Sequence, residues 1–128
     1  MSRIAQQSLA ASLLLVIACA GAQQAPVQTD EAIVRSALPV KDLTEEQSRT
    51  AARIYCARHV PDCRTVTEGI RIHYAWMFTP LVGDSPKPEK GSALFGNKSI
   101  QINAATGGIG REDGPSYESL EALLAGKP

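Results

Sequence analysis

Residues 69–78 read Gly-Ile-Arg-Ile-His-Tyr-Ala-Trp-Met-Phe and carry the clearest structural pattern in the chain. Large apolar residues occupy every second position, which predicts a β-strand with one face of Ile70, Ile72, Tyr74, Trp76 and Phe78. A second alternating run, at residues 99–104, ends in the turn residues Thr106-Gly107-Gly108. Together the two runs predict the main antiparallel hairpin of a small sheet, formed by about residues 69–79 and 99–104.

Three helices are predicted around this sheet. The first covers residues 30–38, with Thr29 or Asp30 at its start and Pro39 at its end. The second begins with Thr44-Glu45-Glu46-Gln47, the pattern of a capping box, and is predicted to reach His59. Residues 114–116 lead into the third, whose apolar face is Tyr117, Leu120, Leu123 and Leu124 and which Gly126 ends. The expected fold class is α+β, with the helices on one face of the small antiparallel sheet.

Residues 79–91 contain three prolines and predict an exposed loop. Such a loop is either an ordinary long hairpin connection or a recognition loop beside the aromatic strand end. Weaker strands are predicted at residues 92–95 and from Ile109.

Composition excludes several classes of protein. The 128 residues fit one small domain, and 13 basic against 13 acidic side chains give no field that would attract nucleic acid. A hydrophobic content of 44% argues against a wholly disordered chain.

Residues 1–22 resemble an export signal, with Arg3 before an apolar run at residues 9–18. That run is shorter than the ~20 residues of a membrane-spanning helix. Three outcomes stay open: ordinary cleavage after small residues, lipidation of Cys19 in the lipobox-like Val16-Ile17-Ala18-Cys19 at residues 16–19, or retention of the run as an apolar helix. Residues 23–28 then form a flexible tether and residues 29–126 a single α+β domain. The expected location is the periplasm of a bacterium, or its membrane through a lipid on Cys19.

Cys56 and Cys63 are the two cysteines that remain after Cys19 is used or removed. In an oxidising compartment they predict a disulfide worth about 2 to 3 kcal/mol, which clamps the second helix to the strand that follows it. A redox-active pair is usually spaced more closely. A zinc site needs about four ligands, and the sequence offers no paired ligand spacing around His59 and His73, so no metal is predicted.

Catalytic candidates are few. His59 and His73 are the only imidazoles, and His73 is expected on the polar face of the alternating strand. No nucleophile elbow, Walker loop or dinucleotide fingerprint is present, so no catalytic residue and no cofactor are predicted.

The segment Ile100-Gln-Ile-Asn-Ala-Ala-Thr-Gly-Gly-Ile109 resembles the closing strand of PepSY domains, with matches at Asn103, Thr106, Gly107 and Ile109. The resemblance covers about residues 45–111. It implies a helix packed on a small antiparallel sheet and a role in binding or restraining peptidases and other envelope proteins. It implies no catalytic residues.

The sequence therefore predicts an exported, non-catalytic binding or inhibitory module with a protein or peptide partner in the cell envelope. Its predicted partner surface consists of Trp76, Phe78, Pro80, Asp84 and Lys87. One alternative is a small envelope hydrolase or metal-dependent enzyme that uses His73 and His59. Another is a purely structural lipoprotein. No nucleic-acid partner is expected, and membrane contact is expected only through a lipid on Cys19.

Overall fold

The computed structural model describes residues 28–89 and 98–126 of the chain. These ranges form an α+β fold, as the sequence predicts. The helices are α1 (Asp30–Ser36), α2 (Glu45–His59) and α3 (Leu120–Leu124). The strands are β1 (Cys63–Val66), β2 (Ile70–Ile72), β3 (Ala75–Phe78), β4 (Pro80–Val82), β5 (Lys87–Pro88), β6 (Ile100–Asn103) and β7 (Ile109–Gly110).

Helix α2 has the boundaries that its sequence predicts. The Thr44 hydroxyl accepts a hydrogen bond from the Gln47 backbone N–H at 3.1 Å, and the Gln47 side chain accepts one from the Thr44 backbone N–H at 3.0 Å. This capping box satisfies N–H groups that have no partner inside the first turn. The helix ends at His59, as expected.

The two shorter helices are present with tighter limits than predicted. Helix α1 starts after Thr29, whose hydroxyl accepts from the Ala32 N–H at 3.1 Å, and it ends at Ser36. Helix α3 starts only after Ser119, so Tyr117 lies outside it. Gly126, with a φ of +74°, follows the last turn in the left-handed region that glycine tolerates best.

Two antiparallel sheets are built from the seven strands of the described ranges. One has the order β2-β3-β6-β7, and the other has the order β1-β4-β5. Strands β3 and β6 pair with Trp76 opposite Ile102 and Phe78 opposite Ile100, which confirms the predicted main hairpin partners.

The predicted continuous strand at residues 69–78 is wrong in one respect, because the chain reverses inside it. His73 adopts a φ of +54°, and β2 folds back on β3 so that Ile72 pairs with Ala75. Direct partners in a sheet share a face. Ile70 and Ile72 therefore lie on the face opposite that of Trp76 and Phe78, rather than on the same face.

The predicted loop at residues 79–91 is wrong for residues 80–82 and 87–88, and its residues 90 and 91 lie outside the described ranges. Pro80–Val82 forms β4, which pairs with β1, and Lys87–Pro88 forms β5. Only residues 83–86 form the connecting turn, in which Gly83 has a φ of +90°. The weak strand predicted at residues 92–95 lies outside the described residues.

One hydrophobic core lies between the helices and one face of the four-stranded sheet. Helix α2 contacts β1, β3, β6 and β7 as well as both other helices. Fully buried side chains from the helices meet fully buried side chains from the sheet. These residues are Val34, Ala51, Ala52, Tyr55, Leu120 and Leu123 from the helices, and Phe78, Ile100, Ile102 and Ile109 from the strands.

A disulfide joins Cys56 of α2 to Cys63 of β1, with 5.8 Å between the two Cα atoms. The predicted cysteine pair is thus formed, and it links the helix to the three-stranded sheet. Such a bond is compatible with an exported protein. Within residues 28–89 and 98–126, no helix has the length and apolar character needed to span a membrane.

Candidate functional site

The fold buries some residues of the predicted partner surface and leaves others exposed. Phe78 is 1% exposed and Pro80 is fully buried, so neither side chain lies on the surface. Trp76 is half-buried, and its ring N–H donates to the Leu43 carbonyl at 3.1 Å. The aromatic end of β3 is therefore part of the core, because its alternation faces the helices and not solvent.

Asp84 and Lys87 remain exposed at the turn between β4 and β5. Asp84 accepts from the Arg64 guanidinium at 2.8 Å, with 54% of the Arg64 side chain and 99% of the Asp84 side chain exposed. Exposed ion pairs of this kind add little to stability. The turn therefore offers exposed charges of opposite sign.

The two histidines have different environments and share no contact. His59 Nε2 lies 3.1 Å from Glu118 Oε2, with side chains 9% and 16% exposed, and the His59 ring packs 4.6 Å from the Tyr55 ring. His73 is exposed in the turn between β2 and β3, and is not on a strand as predicted. Among the described residues, no three His, Cys, Asp or Glu side chains are grouped to hold a metal ion.

A second polar cluster surrounds Arg111, whose side chain is 7% exposed. Its guanidinium lies 2.8 Å from the Glu89 carboxylate and 3.2 Å from the Asp113 carboxylate. Lys98 reaches the same Asp113 at 2.9 Å. Two basic and two acidic side chains thus balance one another, as buried charges require. We interpret this cluster as a structural anchor.

A groove lies on the face of the four-stranded sheet that points away from the helices. The register places Asn103 beside Ala75, and Gln101 between Met77 and Gly110. Their sequence neighbours Ile100 and Ile102 point into the core. The outer face of β6 is therefore lined by amide side chains.

Tyr117 reaches this outer face because its neighbour Glu118 bridges to Ile109 and extends the sheet beyond β7. Successive residues of an extended segment point to opposite faces. Glu118 therefore contacts His59 on the core side, while Tyr117 covers Gly110. A Cβ atom on Gly110 would lie 2.8 Å from Tyr117 Cγ, so glycine is what lets the ring lie against the strand.

Together these residues form a groove of about 260 Å³. Tyr74, from the β2–β3 turn, is 64% exposed, and Tyr117 is 50% exposed. None of the lining side chains is charged. The lining residues are Tyr74, Ala75, Gln101, Asn103, Thr106, Gly108 and Tyr117.

Hydrogen bonds to the turn after β6 already engage several acceptors in the groove. The Asn103 side-chain oxygen accepts from the backbone N–H groups of Ala105 and Thr106 at 2.8 and 3.0 Å. The Thr106 hydroxyl oxygen accepts from the Gly108 N–H at 3.2 Å. The Asn103 side-chain NH₂ and the Thr106 O–H remain as donors.

Burial raises the pKa of the Tyr117 phenol above its usual value, and the Glu112 carboxylate raises it further. A raised pKa favours the protonated phenol. The Tyr117 hydroxyl is therefore a hydrogen-bond donor over the whole physiological range.

The sequence indicates this site only in part. The family resemblance points to Asn103 and Thr106, and both line the groove. Nothing in the sequence marks Tyr74 or Gln101 as site residues, and the apolar pattern of residues 117–124 places Tyr117 in a helix. The alternation of Gln101 and Asn103 with buried isoleucines was the available signal, since it marks the open face of a strand.

No protein-family model, curated protein or solved structure matches this chain.

Proposed function

We propose that this protein is an exported, non-catalytic binding module of the bacterial cell envelope, which contacts a protein or peptide partner through the groove between Tyr74 and Tyr117. The observation that carries the proposal is the pair of half-exposed tyrosine rings beside an uncharged groove on the open face of a sheet.

The composition of the groove supports a binding role. Tyrosine gives a large contact area with few rotatable bonds, and amide and glycine residues adapt their hydrogen bonds to a partner. Tyrosine is also among the residues that contribute most to binding energy at interfaces. Because the groove contains no acidic, basic or thiol group, its chemistry suits recognition better than catalysis.

The disulfide supports export, since such bonds persist mainly in oxidising compartments. The export signal at residues 1–22, followed either by ordinary cleavage or by lipidation of Cys19, belongs to this proposal and lies outside the described residues. Replacement of Cys19 by Ser tests the lipid directly. If Cys19 carries a lipid, the variant would move from the membrane fraction to the soluble fraction. If the signal is cleaved without lipidation, both the wild type and the variant would be found in the soluble fraction.

The resemblance to PepSY domains suggests which class of partner to test. Asn103, Thr106 and Gly107 form the turn that bounds the groove, because Asn103 caps two N–H groups of that turn. We therefore propose peptidases and other envelope proteins as the class of partner to be tested first.

Position-dependent crosslinking in cells tests the groove. A photo-reactive amino acid is placed at Tyr74 or Gln101, and at the exposed Glu31 of α1 as a control. We expect the same adduct from both groove positions, none from Glu31, and loss of the Gln101 adduct when Tyr117 is changed to Ala.

Equal adducts from Glu31 would contradict the proposal. A further probe at Asp84 separates the two candidate surfaces. An adduct from Asp84 alone would assign the contact to the β4–β5 turn instead of the groove.

A further inference from the structure

The hydrogen-bonding balance of the groove identifies a class of ligand. We propose that the groove binds an uncharged, proline-containing peptide segment in the polyproline II conformation. This inference rests on the proposed binding function and specifies its ligand.

The groove is richer in free donors than in free acceptors. Four acceptor oxygens on its rim are used internally: the Asn103 side-chain oxygen, the Thr106 hydroxyl oxygen, and the backbone carbonyls of Gly108 and Tyr74. The Gly108 carbonyl accepts from the Asn103 N–H at 2.9 Å, and the Tyr74 carbonyl accepts from the Ala104 N–H at 2.7 Å. The remaining groups are the Asn103 NH₂, the Gln101 amide, the Thr106 O–H and two phenol O–H groups, all of which donate. The Gln101 side-chain oxygen and the phenol oxygens also accept, which reduces the surplus of donors but does not remove it.

A ligand that fits must therefore offer acceptors and few donors. A proline residue has a carbonyl oxygen but no N–H. In the polyproline II helix the carbonyls make no internal hydrogen bonds and point outward, where donors can reach them. An extended peptide without proline brings one N–H per residue, and a saccharide brings a donor with every hydroxyl. Both of these ligands add donors to a groove that has few free acceptors, whereas a proline segment adds none.

The shape and charge of the groove favour the same ligand. Grooves between aromatic side chains are the usual docking sites of proline-rich segments, since proline rings pack on aromatic faces. Here Tyr74 and Tyr117 line one groove and are 64% and 50% exposed. The absence of charge among the lining residues matches an uncharged segment and predicts an affinity that changes little with salt.

Titration of the isotope-labelled mature protein with acetyl-octaproline-amide tests this inference by NMR. We expect saturable changes in the NMR chemical shifts of the Asn103 side-chain NH₂ and the Gly108 N–H. An acetylated glycine–serine octapeptide and a β-1,4-linked N-acetylglucosamine tetramer are titrated in parallel. Binding of either comparison ligand as strongly as octaproline, or no octaproline binding, would overturn the proposal.

Asn103→Asp provides the sharpest variant. Aspartate keeps an oxygen that can accept from the Ala105 and Thr106 N–H groups, but it replaces the free NH₂ donor by an acceptor oxygen. We expect octaproline affinity to fall at least tenfold while the melting temperature changes little. The matched control is Gln28→Glu at an exposed position outside the groove, for which affinity should stay constant.

Unchanged affinity in Asn103→Asp would overturn the donor argument. If Asn103→Asp proves unfolded, Tyr117→Phe removes a donor while it keeps the ring, and weaker binding is again expected. The two proposals also fail separately. Crosslinking through Tyr74 and Gln101 to a partner without a proline-rich segment would leave the binding function intact and exclude this ligand.

Discussion

The two faces of the four-stranded sheet differ in how far the side chains on and beside β6 are exposed. On the inner face, Phe78, Ile100 and Ile102 are at most 1% exposed and contact the helices. On the outer face, Tyr74 is 64% exposed and Gln101 and Asn103 are partly exposed. The same strands supply both sets of side chains, because alternate residues point in opposite directions.

This difference separates stability from recognition within a single strand. The inner face stabilises the fold by removing apolar area from water, at roughly 25 cal/mol per Å². The Gln101 and Asn103 side chains of the outer face are partly exposed and polar, so they carry donors in a defined arrangement instead. On β6, substitutions of Ile100 and Ile102 should consequently affect stability, whereas substitutions of Gln101 and Asn103 should affect binding.

The largest effect is expected from Ile102→Ala on the inner face. Ile102 is 0% exposed, and loss of its side chain leaves a cavity beside α2. We expect a loss of about 3 kcal/mol in the free energy of unfolding, measured by urea denaturation. Gln101→Ala, one residue earlier, should cost less than about 0.5 kcal/mol. Equal losses at both positions would contradict the two-face description.

The second effect concerns the disulfide that ties α2, the helix over the inner face, to β1. Joint replacement of Cys56 and Cys63 by Ala should lower the free energy of unfolding by about 2 to 3 kcal/mol, because the unfolded chain gains freedom. Thermal unfolding of the oxidised wild type, the reduced wild type and the double variant measures this. Equal stabilities of the reduced wild type and the double variant would attribute the loss to the disulfide. A double variant as stable as the oxidised wild type would show that the disulfide does not stabilise the fold.

Gly110→Ala should displace the Tyr117 ring from the outer face of the sheet. The added Cβ would lie 2.8 Å from Tyr117 Cγ, so the ring must shift away from β7. We expect a destabilisation of about 1 kcal/mol and a change in ligand binding at the groove. Gly108→Ala is the comparison, since its Cβ would meet only the Thr106 hydroxyl oxygen, at 3.6 Å.

The pH dependence of the free energy of unfolding tests the contribution of Tyr55, whose side chain lies on the core side of the sheet. Burial raises the pKa of its phenol, although the nearby Arg111 guanidinium opposes the shift. Because the folded-state pKa lies above the unfolded value of about 10, this group stabilises the fold below pH ~10, and its contribution is lost as the pH rises further. Tyr55→Phe should reduce the loss of stability above pH ~10 in alkaline urea titrations. An unchanged alkaline profile would show that another group controls it.

The smallest effect on stability, and a large effect on binding, is expected from Tyr74→Ser. The side chain is 64% exposed, so the free energy of unfolding should change by less than about 0.5 kcal/mol. Binding of octaproline and crosslinking from Gln101 should both decrease. Retention of both activities would remove Tyr74 from the site.

Local sequence patterns account for much of the fold. The capping box at Thr44 specifies where α2 starts, because a hydroxyl and an amide three residues apart satisfy each other's backbone groups. Alternating isoleucines at residues 100 and 102 specify the inner face of β6. Both patterns depend only on neighbours in the sequence.

Features that depend on distant contacts were not predictable in this way. The turn at His73 and Tyr74 has none of the Gly, Asn or Asp residues that mark two-residue hairpins, so alternation alone suggested one long strand. The prolines of residues 79–91 predict a loop, yet Pro80 begins a strand that pairs with β1. The groove needed Tyr117 to reach the sheet through the Ile109–Glu118 bridge, and no local pattern encodes that contact.

The bond between Cys56 and Cys63 also determines what a protease can do to this chain. Residues 57–62 lie inside the covalent ring, and Pro61 and Asp62 are exposed at its tip. A single cut within the ring produces two fragments that stay attached to each other. A molecule nicked there would migrate as one band before reduction and as two bands after it.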